Sequence, residues 1–312
     1  MIKFSILVCT YNGSNTILKC LEHLKYLDYY KTQYEVIIVD NNSSDDTKVL
    51  VNHFLVFNGL VNFKYCFEAR QGKSFAFETG FKLCEGNYLV TCDDDNYLYS
   101  DYLKKAEAIL SQDFKIGVLG GFGVIKSDND IDDWVYSFQR YYACGAQYYQ
   151  EGEITHIGSI WGAGMIFDAV QFRKFLKAGF KNILTCRKGT ELTSGGDIEY
   201  CRWFLLAGKK LWYSHDLKYE HFIPSSRLNI NYIKRLENSF KQVSETIYKY
   251  DALIKNNNYG LFRGLYYMLK LILGKDRKFT LVNLELSFFS KFYTFDKETK
   301  AIKSCITNLP FD

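Results

Sequence analysis

The chain has 312 residues and a formal net charge of +4, with 47% hydrophobic and 24% charged residues. This length fits one large domain with a C-terminal addition, or two merged domains, and provides enough apolar surface for a sizeable core. The charge is too small to require nucleic acid as a partner. No stretch of about 18 apolar residues occurs, so we predict no membrane span. The nine cysteines are scattered without the spacing of a zinc site, which favours a reducing compartment, the cytoplasm.

The first part of the chain alternates between apolar runs and helical patterns. Residues 3–9 predict a strand buried on both faces, and residues 15–27 carry apolar positions at helical spacing. The pattern repeats as strand 34–39 with a helix from about Ser44, strand 61–68 with a helix within 69–81, and strand 86–92. It predicts an α/β fold with a mainly parallel central sheet flanked by helices. The carboxyl ends of the parallel strands then meet at one edge, where ligands bind.

The pattern changes after this sheet. Residues 116–125 predict another strand, the aromatic-rich stretch 132–152 predicts a helix, and residues 161–169 are glycine-rich and then apolar. A Gly-Gly-Asp sequence opens a helix at residue 195, and two short strands are expected after it. A weak candidate for a domain boundary lies near residues 222–228, where the sequence pattern changes. We therefore predict a first domain over 1–225 and a helical region over 226–312.

The region 226–312 contains two helical patterns. Apolar residues three and four apart from Ile233 to Tyr250 predict an amphipathic helix with a narrow apolar seam. Residues 259–273 predict a second, more apolar helix with basic flanks. Such helices either pack on the first domain, pair two copies as a homodimer, or lie at a membrane surface.

Three neighbouring carboxylates, Asp93, Asp94 and Asp95, end the strand 86–92. Carboxylate oxygens are hard ligands that suit Mn²⁺ or Mg²⁺, and such an ion would offset their mutual repulsion. A solvated loop or a helix N-cap is the alternative interpretation. Their place at the predicted ligand-binding edge agrees with a metal site, and both interpretations stay open at this point.

Several segments occur together in an order that is known from one enzyme family. They are "SILVCTYN", "EVIIVDNNSSDDT", "GKSFAFETGF", the aspartate triplet, "GAGMIF" and "GGDIEYCRWFLLAGKKLWY". Over roughly residues 3–222 the chain resembles the family 2 glycosyltransferases. The resemblance implies a GT-A fold and inverting transfer of a sugar from a nucleotide-sugar donor, with a UDP-sugar expected. It also implies a saccharide or lipid-linked acceptor, a role in surface polysaccharide or glycolipid assembly, and a place in the cytoplasm or at the inner face of the membrane.

The resemblance assigns the donor-binding residues. Asp95 is implied as a direct metal ligand and Asp93 as a ligand of the metal or the ribose, with Asp94 beside them and His221 completing the metal site. Thr10, Tyr11, Asn12 and Asp40 are implied at the nucleoside, where Asp40 can accept the imide N–H of uracil and Tyr11 can stack on the base. In the loop before the third helix, Gly72 allows close approach, and Arg70 and Lys73 can offset diphosphate charge. Turn formation, surface cations and a structural histidine remain the alternatives.

The acceptor side requires one base, because inverting transfer is a single displacement. The resemblance implies Asp197 as that base, with Glu199 as the alternative. Relatives commonly carry an acid where this sequence has Gly196. An N-cap role for Asp197 is the structural alternative and does not exclude catalysis. Trp161, Gly162 and Gly164 are implied beside the acceptor and the donor sugar, although a core tryptophan next to a bend explains them equally.

Two further functions compete with this one. A catalytically inactive protein that binds sugar nucleotides or docks on a membrane is favoured by Gly196. A sugar-nucleotide pyrophosphorylase requires a cation-bearing, glycine-rich loop after the first strand, and "TYNGSNT" contains no cation. The sequence therefore favours a metal-dependent glycosyltransferase.

Overall fold

The computed structural model describes residues 2–184, 195–242, 244–256 and 297–309. The strands are β1 Phe4–Thr10, β2 Tyr34–Asp40, β3 Phe63–Phe67, β4 Tyr88–Asp93, β5 Asn96–Leu98, β6 Ile116–Lys126, β7 Gly152–Glu153, β8 Ile166–Asp168 and β9 Lys210–Phe222. The α-helices are α1 Ile17–Lys25, α2 Thr47–Asn58, α3 Lys73–Leu83, α4 Tyr102–Leu110, α5 Asp133–Tyr136, α6 Ala169–Lys177, α7 Gly196–Leu206, α8 Ile230–Gln242, α9 Ser244–Asn256 and α10 Lys297–Thr307. Three 3-10 helices span Gln139–Tyr142, Thr155–Ile157 and Ser225–Arg227.

The strands of the described residues form one mixed sheet in the order β3-β2-β1-β4-β8-β6-β9-β5, with β7 also paired to β9. Strands β1 to β4 run parallel to one another, while β8 and β5 are antiparallel to their neighbours. This confirms the predicted α/β fold with a mainly parallel sheet. The carboxyl ends of β1, β2 and β4 consequently meet at one edge.

The core lies on both faces of the sheet because side chains alternate along each strand. In β1, Phe4 and Val8 join the cluster that contains helices α1, α2 and α4, whereas Leu7 joins the cluster under α3, α6 and α7. Every residue of β2 is buried. Burial on both faces explains why these strands are continuous apolar runs in the sequence.

The aromatic stretch 132–152 is not the helix that the sequence predicts. Only α5 and one turn of 3-10 helix form, and the chain then takes positive φ at Ala143 (51°) and Gly145 (81°). Gly145 forms an isolated bridge with Gly123 of β6, and the Tyr219 hydroxyl donates to the Ala143 carbonyl at 2.6 Å. Tertiary pairing with the sheet therefore outweighs helix propensity here. The sequence predicts two short strands after α7, whereas the structure has one strand of 13 residues there, β9.

The predicted seam from Ile233 to Tyr250 is divided between α8 and α9, which pack against different parts of the molecule. Ile233 of α8 joins a small cluster with Tyr142, and Tyr250 of α9 lies in the main core beside α7. The predicted helix 259–273 lies outside the described residues, and the boundary at residue 225 stays a prediction. Within the described ranges, every helix is too short or too polar to cross a bilayer.

Candidate active site

A cavity of about 730 Å³ opens at the sheet edge where β1 and β4 end. The predicted site residues that line it are Thr10, Tyr11, Lys73, Asp93, Asp94, Asp95, Trp161, Gly162, Asp197 and His221. Four other predicted residues, Asn12, Asp40, Arg70 and Gly164, are not part of its wall. Residues that are far apart in the sequence therefore meet here, as parallel-strand topology requires.

Asp94, the middle carboxyl of the triplet, has a shifted pKa. Burial and the neighbouring Asp95 charge together raise its pKa to about 7, although a hydrogen bond from the Thr10 hydroxyl opposes the change. Like charges at short range disfavour simultaneous ionisation, and a cation nearby relieves this cost. The site is therefore electrostatically suited to a bound cation.

Lys73 supplies one positive charge to the cavity. It begins α3, and its ammonium lies 2.5 Å from Asp93 Oδ1. The preceding Gly72 has a φ of 137°, a conformation that favours glycine. Lys73 can thus face both the acidic triplet and a phosphate group in the same cavity.

Asn41, which the sequence analysis missed, holds this loop in place. Its side-chain nitrogen donates to the Arg70 carbonyl at 2.7 Å, and its oxygen accepts from the Gly72 N–H at 2.7 Å. The residue is 5% exposed and lines the cavity. Its position directly after a buried strand was the available signal, because a polar residue at that edge points to the ligand site.

Asp95 and His221 face each other through strand pairing. Asn96 of β5 is the partner of His221 in β9, and the Phe222 N–H donates to the Asp95 carbonyl at 2.8 Å. This register places His221 Nε2 at 3.5 Å from Asp95 Oδ1. The His221 Nδ1–H donates to the Tyr142 carbonyl at 2.6 Å, so Nε2 is directed at the carboxylate.

The donor chemistry at Asp95 and His221 fits a divalent cation such as Mn²⁺. Burial lowers the pKa of His221, but the charge of Asp95, its hydrogen bond to the imidazole and the contribution of Cys144 together raise the pKa well above its usual value. A carboxylate oxygen and an imidazole nitrogen are ligands that Mn²⁺ accepts. In the described part of the chain, no group of three or more His, Cys, Asp or Glu side chains forms a ready metal site. Further ligands would come from substrate phosphates or water, as is usual for Mg²⁺.

Asp197 lies at the start of α7 and faces the cavity. Its Oδ2 accepts from the Gly162 N–H at 2.9 Å, and Oδ1 accepts from the Ile198 N–H at 2.9 Å. Burial raises its pKa, while these bonds and the charge of Lys73 partly counteract the rise. A carboxylate with a raised pKa is a stronger base than an ordinary aspartate.

Glu199, the alternative base, is fully buried and points away from the cavity. It accepts hydrogen bonds from the N–H groups of Ile183 and Leu184 and from the Tyr250 hydroxyl at 2.6 Å. Its exposed fraction is 0%. The structure therefore gives Glu199 a tethering role.

The four predicted residues outside the cavity have structural partners. Arg70 forms a bidentate pair with Glu68 at 2.9 and 2.8 Å. Asp40 accepts from the Ser43 N–H at 2.8 Å and the Tyr65 hydroxyl at 2.9 Å. Asn12, with a φ of 53°, accepts from the Ser44 N–H, and a side chain at Gly164 would meet the Tyr102 hydroxyl at 2.7 Å. These contacts agree with the structural alternatives of turn formation and packing, and the predicted binding roles of the four residues stay predictions.

Two aromatic residues that the resemblance suggested do line the cavity. Tyr11 is 43% exposed, and its hydroxyl accepts from the Gln71 side chain at 3.1 Å. The backbone N–H of Trp161 donates to the side-chain oxygen of Gln147 at 2.8 Å. An aromatic ring in such a wall can stack on a base or cover the apolar face of a sugar.

Comparison with curated proteins finds relatives that transfer sugars. The poly(ribitol-phosphate) beta-N-acetylglucosaminyltransferase TarS of Staphylococcus aureus is 32% identical over 114 residues, which cover 36% of this chain and 19% of that protein. A dolichyl N-acetyl-alpha-D-glucosaminyl phosphate 3-beta-D-2,3-diacetamido-2,3-dideoxy-beta-D-glucuronosyltransferase of Methanococcus voltae is 28% identical over 121 residues, 38% of each chain. The matches thus span only a fifth to two-fifths of these relatives.

Solved structures show the same fold. S. aureus TarS 1–349 in complex with UDP-GlcNAc aligns with a TM-score of 0.58 at 17% identity, covering 99% of this chain and 82% of that one. The mannosyltransferase PcManGT of Pyrobaculum calidifontis, in complex with GDP-Man and Mn²⁺, aligns with a TM-score of 0.54 at 15% identity. The alignment covers 98% of this chain and 73% of that one. At this identity the likeness shows a GT-A fold.

The family described as "Glycosyl transferase family 2" matches residues 5–173, more than half of the chain. This segment contains the first strands of the sheet, the loop before α3 and the aspartate triplet. The chain therefore belongs to glycosyl transferase family 2.

Proposed function

We propose that the chain is an inverting glycosyltransferase that moves a sugar from a UDP-sugar to a hydroxyl of a saccharide or lipid-linked acceptor. One observation carries this proposal: a half-buried carboxylate with raised pKa, Asp197, lines the same cavity as the aspartate triplet and Lys73. A base and a diphosphate-binding edge within one cavity are what a single displacement requires.

The donor occupies the sheet edge in this proposal. Tyr11 stacks on the nucleoside base, and Lys73 faces the diphosphate. Asp95 and His221, with Asp93, would hold Mn²⁺ or Mg²⁺. When bound, that ion supplies positive charge to the diphosphate as it departs.

The acceptor hydroxyl gives its proton to Asp197 as its oxygen attacks the anomeric carbon. The new glycosidic C–O bond forms while the C–O bond to the diphosphate breaks, and the diphosphate leaves with that electron pair. The Gly162 N–H fixes the carboxylate, which keeps it oriented for the transfer. Trp161 lies next to this position and can cover the apolar face of a sugar ring.

The relatives support the choice of donor and setting. A structural neighbour binds UDP-GlcNAc, and a relative is named for transfer of N-acetylglucosamine to poly(ribitol-phosphate). UDP-GlcNAc is therefore the first donor to test. By the same analogy the chain would act in surface glycan assembly, in the cytoplasm or at the inner face of the membrane.

The test measures UDP release from a panel of UDP-sugars with Mn²⁺ and candidate acceptors. We expect Asp197→Asn to lower kcat at least about 100-fold, since positioned bases contribute 10²–10⁴-fold. The affinity for UDP should not change. Asp216→Asn, an exposed position outside the cavity, is the matched control. Full activity in Asp197→Asn would refute the assignment of the base.

An inactive nucleotide-sugar-binding protein remains the second candidate because of Gly196. This glycine is buried at the first position of α7, where an acidic neighbour of Asp197 is missing. The same assay separates the two functions. Tight binding of UDP-sugars without turnover for any donor and acceptor would favour the binding protein.

A further inference from the structure

The cavity has a second wall, which the sequence analysis did not predict. It is formed by the 3-10 helices Gln139–Tyr142 and Ser225–Arg227 and by α8. The rings of Tyr142 and Tyr232 lie parallel, with centroids 6.1 Å apart and an interplanar angle of 2°. The Tyr142 hydroxyl also donates to the Arg227 carbonyl at 2.9 Å. We call these elements the tyrosine wall.

Two guanidinium groups belong to the tyrosine wall. Arg140 lies 5.5 Å from the ring centroid of Tyr141, and Arg227 lies 6.0 Å from that of Tyr232. Both arginines line the cavity. In the described part of the chain, neither forms an ion pair with a carboxylate. The exposed Glu237 lines the same side, which leaves a net positive charge there.

Arginines held over aromatic rings in a concave site are suited to a planar or tetrahedral anion. A guanidinium recognises carboxylate and phosphate through paired N–H donors. The adjacent tyrosine rings offer flat surfaces for sugar or polyol carbons. The wall thus combines anion recognition with a platform for a carbohydrate.

We propose that the tyrosine wall binds the acceptor and that this acceptor is anionic, carrying a phosphate or carboxylate group that Arg140 and Arg227 recognise. The inference rests on the proposed glycosyltransferase function. The donor diphosphate has its own cation, Lys73, at the acidic edge, so its charge does not require the arginines. The wall adjoins the donor edge through the Tyr142 carbonyl, which accepts from His221.

The experiment titrates the full chain, saturated with UDP and Mn²⁺, with three probes of similar length in a calorimeter. The probes are a phosphodiester-linked polyol oligomer, a glucuronate-containing oligosaccharide and a neutral oligosaccharide. The variants are Arg140→Gln, Arg227→Gln and the double substitution, with Arg140→Lys as the conservative change. Arg235→Gln, an exposed arginine of α8 outside the cavity, is the matched control.

We expect an anionic probe to bind the wild type, with salt weakening the binding. Each glutamine variant should weaken it about tenfold, as for a hydrogen bond to a charged group. Arg235→Gln should have no effect, and Arg140→Lys should recover part of the loss. Preference for the phosphodiester or for the glucuronate probe identifies the anion, and either result supports the proposal.

Three results would overturn the inference. One is binding of the neutral probe equal to that of the anionic probes, and another is binding of anions that the arginine substitutions do not change. The third is an equal loss of UDP affinity in Arg140→Gln and Arg227→Gln, which would place both arginines at the donor. Failure of the wild type to bind UDP would instead reject the proposed function, so the two failures are distinguishable.

Discussion

Lys73 and Arg70 stand three residues apart at the same sheet edge, and the structure gives them different partners. Lys73 faces Asp93 in the cavity, while Arg70 is bound by Glu68, whose pKa falls to about 2 through hydrogen bonds from Arg70 and Thr79. The sequence shows two cations in one loop. It does not show which one a buried glutamate will bind.

This difference predicts opposite phenotypes for two matched substitutions. Lys73→Met should weaken binding of UDP with Mn²⁺ about tenfold, because a charge-assisted contact to the diphosphate is lost. Arg70→Met should leave that affinity within about twofold and lower the stability, because Glu68 loses its bidentate partner. Titration calorimetry and thermal unfolding measure the two effects. Equal loss of UDP affinity in both variants would contradict the proposed roles.

The raised pKa of Asp94 predicts how the stability of the metal-free protein depends on pH. The folded protein holds this proton up to about pH 7, whereas an unfolded aspartate releases it near pH 4. Folded protein therefore binds more protons between these values, and its stability falls as the pH rises through them. Asp94→Asn should flatten this slope, as measured by urea unfolding with a chelator at pH 5 and pH 8.

The corresponding control is the exposed Asp216→Asn, which should keep the wild-type slope. Mn²⁺ should stabilise the wild type more at pH 8 than at pH 5, because protons compete with the cation for the acidic cluster. An unchanged slope in Asp94→Asn would show that this carboxyl is ionised throughout the pH range.

At the scale of elements, α9 is fixed to α7 by a chain of buried polar contacts. The Trp203 indole donates to the Tyr250 hydroxyl at 3.1 Å, and that hydroxyl donates to Glu199. The guanidinium of Arg202 also binds Asp251 at 2.8 Å. These contacts connect the helix that carries Asp197 with the C-terminal region.

Tyr250→Phe should therefore destabilise the protein by about 1–3 kcal/mol, because it leaves the buried Trp203 indole N–H without its acceptor and removes one hydrogen bond to Glu199. Chemical denaturation measures the change, and Tyr136→Phe, at a 45% exposed residue, is the control. A loss no larger than that of the control would mean that the hydroxyl contributes nothing to the packing of α9.

The elements differ in how well the sequence predicts them. The ends of strands β1, β2 and β4 were predicted within one or two residues, because burial on both faces requires a continuous run of apolar residues. The stretch 132–152 was predicted wrongly, since its pairing with Gly123 and Tyr219 is a long-range contact. The tyrosine wall follows from that same packing and therefore could not be predicted. The place of the aspartate triplet at the sheet edge was predictable because it directly follows a buried strand, whereas Asp197 was implied by the resemblance to the family.

At the scale of the molecule, the region after residue 225 contributes to both the core and the cavity. Tyr250, Leu253 and Ile302 belong to the main hydrophobic cluster, and Tyr232 lines the cavity. We therefore expect the fragment 1–225 to lose cooperative unfolding and UDP binding, measured by calorimetry and thermal shift with UDP. A chain ending at residue 309 is the control. A fragment 1–225 with the melting temperature of the full chain would establish a domain boundary at that residue.

Contact of the C-terminal helices with a membrane surface or with a second copy stays a prediction. Flotation with liposomes that contain anionic lipid, using chains with and without residues 255–312, tests the first. The membrane hypothesis predicts that only the full chain floats, because the basic flanks of segment 259–273 would attract an anionic surface. Equal flotation of both chains would remove the membrane hypothesis.

Strand β9 pairs with β5 on one side and β6 on the other, and its final residues bring His221 opposite Asp95. Successive side chains of a strand point to opposite faces, so a one-residue insertion in β9 ahead of Glu220 would put Glu220 where the imidazole now stands. The replacement would turn a histidine–carboxylate pair into two repelling acids. Length changes among homologues should accordingly collect in the connecting loops, while the spacing from Lys210 to Phe222 stays constant.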